Sequence, residues 1–189
     1  MGDRLFAVVA IILLSPVLAV LALLIKADSK GSVLFKQKRV GFNKNFFMIY
    51  KFRTMRTDAP KDIPTHLLQD PAAHITRIGR FLRKTSLDEL PQLFNILRGQ
   101  MSVVGPRPAL WNQDDLIAER DRYGANNLRP GLTGWAQING RDELPIDVKA
   151  ALDGEYVLRI NFLFDCRIVF NTFFNVLSSK GQTEGCNKA

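Results

Sequence analysis

Thr85-Ser86-Leu87-Asp88-Glu89-Leu90-Pro91-Gln92-Leu93-Phe94-Asn95 decides how this 189-residue chain is read. Ser86 and Glu89 have the S-x-x-E spacing of a capping box, in which each side chain reaches the other's backbone N–H. That predicts a helix over residues 87–98, with Leu90, Leu93, Phe94 and Leu97 recurring at core-facing intervals. Pro91 is tolerated because the first turn has no intrahelical N–H partners to lose. Asp88 then sits at the positive end of the helix dipole, which keeps it ionised and favours phosphate nearby. Ser, Asp and Glu also cap helices with no further role, so these residues alone leave a structural and a chemical reading open.

The flanking sequence adds cations. Residues 72–84 read as a helix with Ile75, Ile78 and Leu82 inward and Arg77, Arg80, Arg83 and Lys84 outward. It delivers Arg83 and Lys84 beside Asp88 and Glu89, either to neutralise them or to help hold a phosphate. Downstream, a short strand over 101–104 leads into Gly105-Pro106-Arg107-Pro108. Pro108 pushes Arg107 toward extended backbone, and Pro106 stiffens its approach. A guanidinium on a rigid tether suits a bidentate phosphate contact, although an exposed Arg in a proline turn fits as well. Residues 33–40 and 46–52 read as two strands joined by 41–45. Lys51 and Arg53 fall on one face of the extended piece, as a paired cation face or a solvated edge. Pro60, Pro64 and Pro71 mark residues 57–71 as loop, and 111–123 reads as an acidic surface helix. Residues 127–141 are dense in glycine, amide and Arg. Arg129, Gln137, Asn139 and Arg141 there offer donors for phosphate, ribose or base edges. No P-loop or G-x-G-x-x-G fingerprint occurs. Asp142-Glu143-Leu144-Pro145 repeats the tetrapeptide at 88–91 without its flanks and serves as an internal control.

Leu5 to Ile25 is apolar apart from Ser15 and Pro16. As helix it measures roughly 30 Å, enough to cross a bilayer core. It exceeds the apolar region of a signal peptide, and no small-residue cleavage site follows. Pro16 is expected to break or kink the helix, with the Ser15 hydroxyl re-satisfying a freed carbonyl. Basic residues flank both ends, Arg4 before and Lys26, Lys30, Lys36, Lys38 and Arg39 after, which favours keeping both ends cytoplasmic. On these grounds a plain span and a re-entrant hairpin both stand. Met1-Gly2 is not a myristoylation signal, because Phe6 occupies the Ser/Thr position. Residues 162–177 are amphipathic, with Phe162, Cys166, Val169, Phe170, Phe173, Val176 and Leu177 on one side. That side suits a core or a membrane interface.

Lys plus Arg is 26 and Asp plus Glu is 18, a net charge of +8. The excess calls for an anionic partner: nucleic acid, an acidic membrane surface or a phosphorylated substrate. Cys166 and Cys186 have no metal spacing and point to a reducing compartment. His66 and His74 form no zinc pattern. Three classes fit: an enzyme acting on a phosphorylated substrate at a membrane, a membrane-tethered nucleic-acid binder, and a non-catalytic scaffold. The second lacks a recognisable binding motif and interleaved stacking aromatics. The third gives no reason for an acidic pair beside Arg83 and a proline-braced Arg107.

Lys-Phe-Arg-Thr-Met (51–55), Ser-Leu-Asp-Glu-Leu-Pro-Gln-Leu-Phe-Asn (86–95), Met-Ser-x-x-Gly-Pro-Arg-Pro (101–108) and Arg-Pro-Gly-Leu-Thr-Gly-Trp-Ala-Gln-Ile-Asn-Gly-Arg (129–141) together resemble the bacterial sugar transferases. These are small monotopic phosphoglycosyl transferases, and the chain is similar to their minimal catalytic form. The resemblance implies transfer of a phosphosugar from a UDP-sugar to polyprenol (undecaprenyl) phosphate, with Mg2+ and release of UMP, at the start of glycoconjugate assembly. It implies Asp88 as nucleophile and Glu89 as its partner, as metal ligand or general base, with both carboxylates at the metal. Lys51, Arg83 and Arg107 match the family's phosphate-binding cations, and residues 129–141 lie near the nucleotide. Ser15-Pro16 matches the helix-breaking dipeptide of a re-entrant hairpin. The expected architecture is α+β and mostly helical. It comprises a membrane hairpin over 1–28, a catalytic domain over 29–180 on the cytoplasmic face of the bacterial inner membrane with a small β-hairpin and an interfacial helix at 162–177, and a flexible tail over 181–189. No nucleic acid is expected as a partner.

Overall fold

The computed structural model describes residues 2–60, 70–140 and 144–177. The tail expected over residues 181–189 lies outside the described residues. One apolar helix, α1 (Gly2–Asp28), opens the chain. It carries Pro16 inside it, with helix on both sides of the expected break. Proline at 16 removes the N–H that would bond the carbonyl of residue 12. The Ser15 hydroxyl donates to that carbonyl, Ile12 O, at 2.8 Å. The dipeptide thus repairs the defect that its own proline makes.

Both halves of α1 pack on the rest of the protein. Ala7, Ala10, Ile11 and Leu14 join a core with Phe47, Ile49, Leu93, Ile96 and Met101. Leu18, Leu21, Ala22 and Ile25 join a second with Phe52, Ile78 and Leu82. The opposite stripe stays outside: Leu5, Ile12, Leu13 and Leu23 are all more than 60% exposed.

β1 (Leu34–Val40) and β2 (Phe46–Phe52) form the expected antiparallel hairpin, in register Lys36↔Tyr50 and Lys38↔Met48. Alternation places Phe47 and Ile49 under α1, while Phe46 and Met48 face outward. The helix expected over 72–84 is two: α2 (Pro71–His74) and α3 (Arg77–Thr85). Between them Ile75 bridges to Met55, and Thr76 donates its N–H to Thr54 O at 3.0 Å. Its hydroxyl caps α3 at Gly79 N. Strand-like contact with residues 54–55 overrides helix propensity at these two positions.

Leu87–Gln92 is a 3-10 turn that runs into α4 (Leu93–Leu97). A short parallel pair follows, β3 (Ser102–Val104) with β4 (Gly131–Thr133). Between them lies α5 (Asp114–Asp121), shorter than the 111–123 expected. The chain ends with α6 (Trp135–Ile138), α7 (Ile146–Arg159) and α8 (Phe162–Leu177). In α8 the faces are the reverse of a simple core helix. Phe164 and Ile168 are buried with Val104 and Tyr156, and Thr172 reaches inward to the Thr133 hydroxyl at 2.6 Å. The phenylalanine-rich stripe points out, with Phe162 at 80% and Phe170 at 62% exposure.

Candidate active site

Three elements meet at the Asp88-Glu89 turn: the end of β2, the 3-10 turn with α4, and the segment after β3. Asn95 fixes the first two. It is fully buried, and its side chain takes Tyr50 N–H at 3.0 Å and donates to Met48 O at 2.8 Å. These are the backbone groups on the edge of β2 that faces away from β1, so one amide plays the part of a missing strand. Gln100 Oε1 takes its other N–H at 2.8 Å.

This docking brings Lys51, one residue beyond Tyr50, to Glu89. The ammonium lies 2.8 Å from Glu89 Oε1, and the Arg107 guanidinium donates to the same oxygen at 3.2 and 3.3 Å. Glu89 is buried, Lys51 and Arg107 are half-buried, and Asp88 is half-buried beside it on the same turn. Glu89 thus holds two cations in place, and burial strengthens both ion pairs relative to surface ones.

The capping box does not form. Ser86 adopts φ 55° and ψ 15° with no side-chain cap, because it simultaneously ends α3, its N–H bonding Arg83 O. Sharing one residue between two helical segments forces the left-handed conformation. Asp88 still lies in the first turn of the helical run.

The remaining predicted residues divide. Arg83 leaves α3 beside the site, and its Nε donates to the Thr54 hydroxyl at 2.9 Å. Arg53 does not share the face of Lys51. It is buried and donates to Lys30 O and Ser29 O at 2.7 Å and to the Ser29 hydroxyl at 2.9 Å. Its task is to cap the carboxyl end of α1, since Arg53 lies past the end of β2 where the alternation of faces no longer holds. Arg129 is exposed and stacks over Phe42 at 5.6 Å, at the hairpin tip. Gln137 is buried and donates to Leu132 O at 3.2 Å, and exposed Asn139 caps Trp135 O at 2.8 Å. Neither amide has a contact to the Asp88-Glu89 turn among the bonds described. Arg141 lies outside the described residues. The glycines of 131–134 serve close approach of chain to chain: a Cβ on Gly131 would come within 2.1 Å of Gly105 N, and one on Gly134 within 2.1 Å of Gly105 O. They seat the strand that supports Arg107.

Sequence reasoning missed Asn95, Thr54 and a buried pair, Arg120 and Asp153. Arg120 Nε lies 2.8 Å from Asp153 Oδ2. The pair joins α5 to α7 across 33 residues, with no local pattern to announce it.

The chemistry of the donor set bears on magnesium. Among the described residues no three His, Cys, Asp or Glu side chains converge on one point. Two adjacent carboxylates remain, Asp88 and Glu89. Mg2+ commonly binds through one or two carboxylates with the balance from substrate phosphates and water. The site fits an ion that arrives with a diphosphate, not an all-protein cage.

A family model described as bacterial sugar transferase matches residues 1–179. The undecaprenyl-phosphate glucose phosphotransferase of Komagataeibacter xylinus is 42% identical over 188 residues, covering 94% of this chain and 35% of that protein. The exopolysaccharide production protein ExoY of Sinorhizobium fredii is 37% identical over 194 residues, covering 95% of this chain and 85% of its own length. The UDP-N-acetylgalactosamine-undecaprenyl-phosphate N-acetylgalactosaminephosphotransferase of Aeromonas hydrophila is 38% identical, over 95% of this chain and 43% of that protein. This chain thus spans less than half of two of these relatives and most of the third. With the Asp88-Glu89 turn, the proline-braced Arg107 and the apolar first helix in one fold, the chain belongs to the bacterial sugar transferase family.

Proposed function

We propose that this protein transfers a phosphosugar from a UDP-sugar to polyprenol phosphate and that Asp88 is the nucleophile. The observation that carries the reading is the half-buried Asp88 carboxylate on the same turn as Glu89, which pins Lys51 and Arg107 beside it. Carboxylates serve as nucleophiles that form covalent intermediates, and they attack in their ionised form.

In the first step an Asp88 carboxylate oxygen attacks the phosphorus bonded to the sugar. The bond from that phosphorus to the bridging oxygen breaks, and UMP leaves with the oxygen and its electron pair. In the second step an oxygen of polyprenol phosphate attacks the same phosphorus and expels the Asp88 carboxylate. The product is a polyprenyl diphosphate sugar. Lys51, Arg83 and Arg107 against Asp88 and Glu89 leave one net positive charge, three cations minus two carboxylates, to meet the diphosphate. Fixed cations aimed at a transferring phosphoryl group are a large source of rate. Mg2+ held by Asp88 and Glu89 supplies further stabilisation of phosphate charge when bound.

A lipid acceptor calls for a site at the bilayer face. The apolar outer stripe of α1 and the outward phenylalanines of α8 supply surfaces for such a location. We infer a monotopic placement at the cytoplasmic face of the inner membrane, because both ends of α1 rest on the same domain. At one end the Arg4 guanidinium lies over Gly99, where a Cβ would come within 2.3 Å of it. At the other, Arg53 grips residues 29 and 30. A helix standing upright through the bilayer would lose half of that packing.

The test is transfer of radiolabelled sugar from candidate UDP-sugars into the organic phase in vesicles containing undecaprenyl phosphate, with UMP release followed in parallel. Stoichiometric label and UMP support the reading. UDP in place of UMP would refute it, since that product requires a glycosyl transfer.

A further inference from the structure

Arg107 stands in a segment that has few hydrogen-bond donors of its own, because Pro106 and Pro108 lack N–H groups. Its carbonyls are nonetheless all engaged, by three different elements. Pro106 O accepts from Gly131 N in β4 at 2.9 Å. Arg107 O accepts from the Arg120 guanidinium in α5 at 2.9 Å. Pro108 O accepts from the Arg39 guanidinium in β1 at 3.0 Å. Ala109 O accepts from Val40 N at 3.0 Å. Four consecutive carbonyls are therefore pinned by three elements, β4, α5 and β1.

Two of the four clamps are backbone groups and follow from strand pairing. Arg39 and Arg120 are side chains, and only Arg120 is deeply buried. Its side chain is 4% exposed and that of Asp153 is 1% exposed. Arg120 points Nε and Nη2 at Asp153 Oδ2 and Nη1 at Arg107 O. Burying an ion pair is costly and often no more stabilising than an apolar pair of similar volume. Stability alone is therefore a weak reason for its presence. A guanidinium can satisfy a carboxylate and a carbonyl at once, with a fixed angle between them, and no apolar residue or lysine can.

We propose that Arg120, oriented by Asp153, is a positioning residue that sets the backbone of Arg107 and so aims its guanidinium at Glu89 and the reacting phosphate. The inference rests on the proposed function for its catalytic consequence, while the clamp itself is a property of the fold. Arg120 touches no reacting atom. It acts through one carbonyl, five bonds or so from the guanidinium that does.

Arg120→Met alone leaves Asp153 buried and unpaired and risks unfolding the chain. The double variant Arg120→Met/Asp153→Leu removes both charges, fills the space with apolar atoms and keeps the fold. Two readouts are taken on it in detergent or nanodiscs. Hydrogen exchange by mass spectrometry over residues 107–110 is expected to speed up about tenfold. Transfer activity, kcat/KM, is expected to fall about 10–100-fold, the range for loss of a supporting contact in an active site. The same double substitution is then placed on Arg107→Lys. If Arg120 acts through Arg107, most of the loss disappears in that background, a coupling that a merely structural role would not produce. Equal losses in the two backgrounds would overturn the positioning role. Unchanged exchange over 107–110 would overturn the clamp itself, whatever donor the wild type turns over.

Discussion

Asn95→Ala is the substitution whose cost the structure defines most closely. The Asn95 side chain is fully buried and makes three hydrogen bonds, two of them to backbone groups on the outer edge of β2. Alanine leaves Tyr50 N–H and Met48 C=O without their partner in a dry position. Each stranded group costs about 1–3 kcal/mol. With the loss of side-chain packing, a total of about 3–5 kcal/mol follows, at the upper end for single substitutions. For a chain of this size about 1 kcal/mol shifts the midpoint by about 2–4 °C, so thermal unfolding should come about 6–20 °C earlier. Asn95→Asp should cost at least as much, since it turns a donor that faces Met48 O and Gln100 Oε1 into an acceptor and adds a buried charge. Differential scanning fluorimetry of the purified protein in one detergent, at one scan rate, reads the shift. A midpoint within about 2 °C of wild type for both variants would refute the reasoning: the β2 edge would then have another partner, and Asn95 would not be what docks Lys51 onto Glu89.

Three further outcomes follow from named contacts. Glu89→Gln removes the charge shared by Lys51 and Arg107. It should lower kcat by about 10²-fold or more with the fold retained, and a steady-state assay with intact thermal unfolding checks both. Arg53→Met strips the cap from residues 29 and 30, so limited proteolysis after α1 should accelerate while an Arg53→Lys variant recovers part of the protection. Burial, with repulsion from Asp3, raises the Asp165 carboxyl above its usual range against the opposing Tyr156 bond. A raised acid is more readily protonated in the folded state, so its contribution to stability falls as pH rises from the unfolded value through the folded one. Asp165→Asn should therefore be relatively more stable at pH 7 than at pH 4, which unfolding midpoints at the two values measure.

Much of this fold was legible from local signals. The hairpin announced itself by two alternating runs around a glycine-asparagine turn, and α8 by its amphipathic period. Arg107 between two prolines and the Lys51, Glu89 and Arg107 grouping were legible because long motifs carried them. What failed did so for identifiable reasons. The capping-box spacing at Ser86 assumes that its backbone is free to be extended, but the same residue closes α3 and takes φ 55°. Arg53 reads as the partner of Lys51 by period two, yet the strand ends at Phe52 and the alternation with it. Asn95, Arg120 and Asp153 act on partners tens of residues away, where neither periodicity nor spacing reaches. The outward phenylalanines of α8 were ambiguous for a different reason: the helix carries a second, smaller apolar stripe, Phe164 and Ile168, and packing chose that one.

The central claim is a covalent phosphosugar on one side chain, and mass measures it directly. Purified protein is mixed with each candidate UDP-sugar and magnesium, without polyprenol phosphate, and its intact mass is recorded. Wild type is predicted to gain one sugar plus one phosphate from a matching donor, to lose it when polyprenol phosphate is added, and to show nothing after Asp88→Asn. An adduct that persists in Asp88→Asn, or turnover of a donor by wild type with the carboxyl at 88 never modified, would contradict the account.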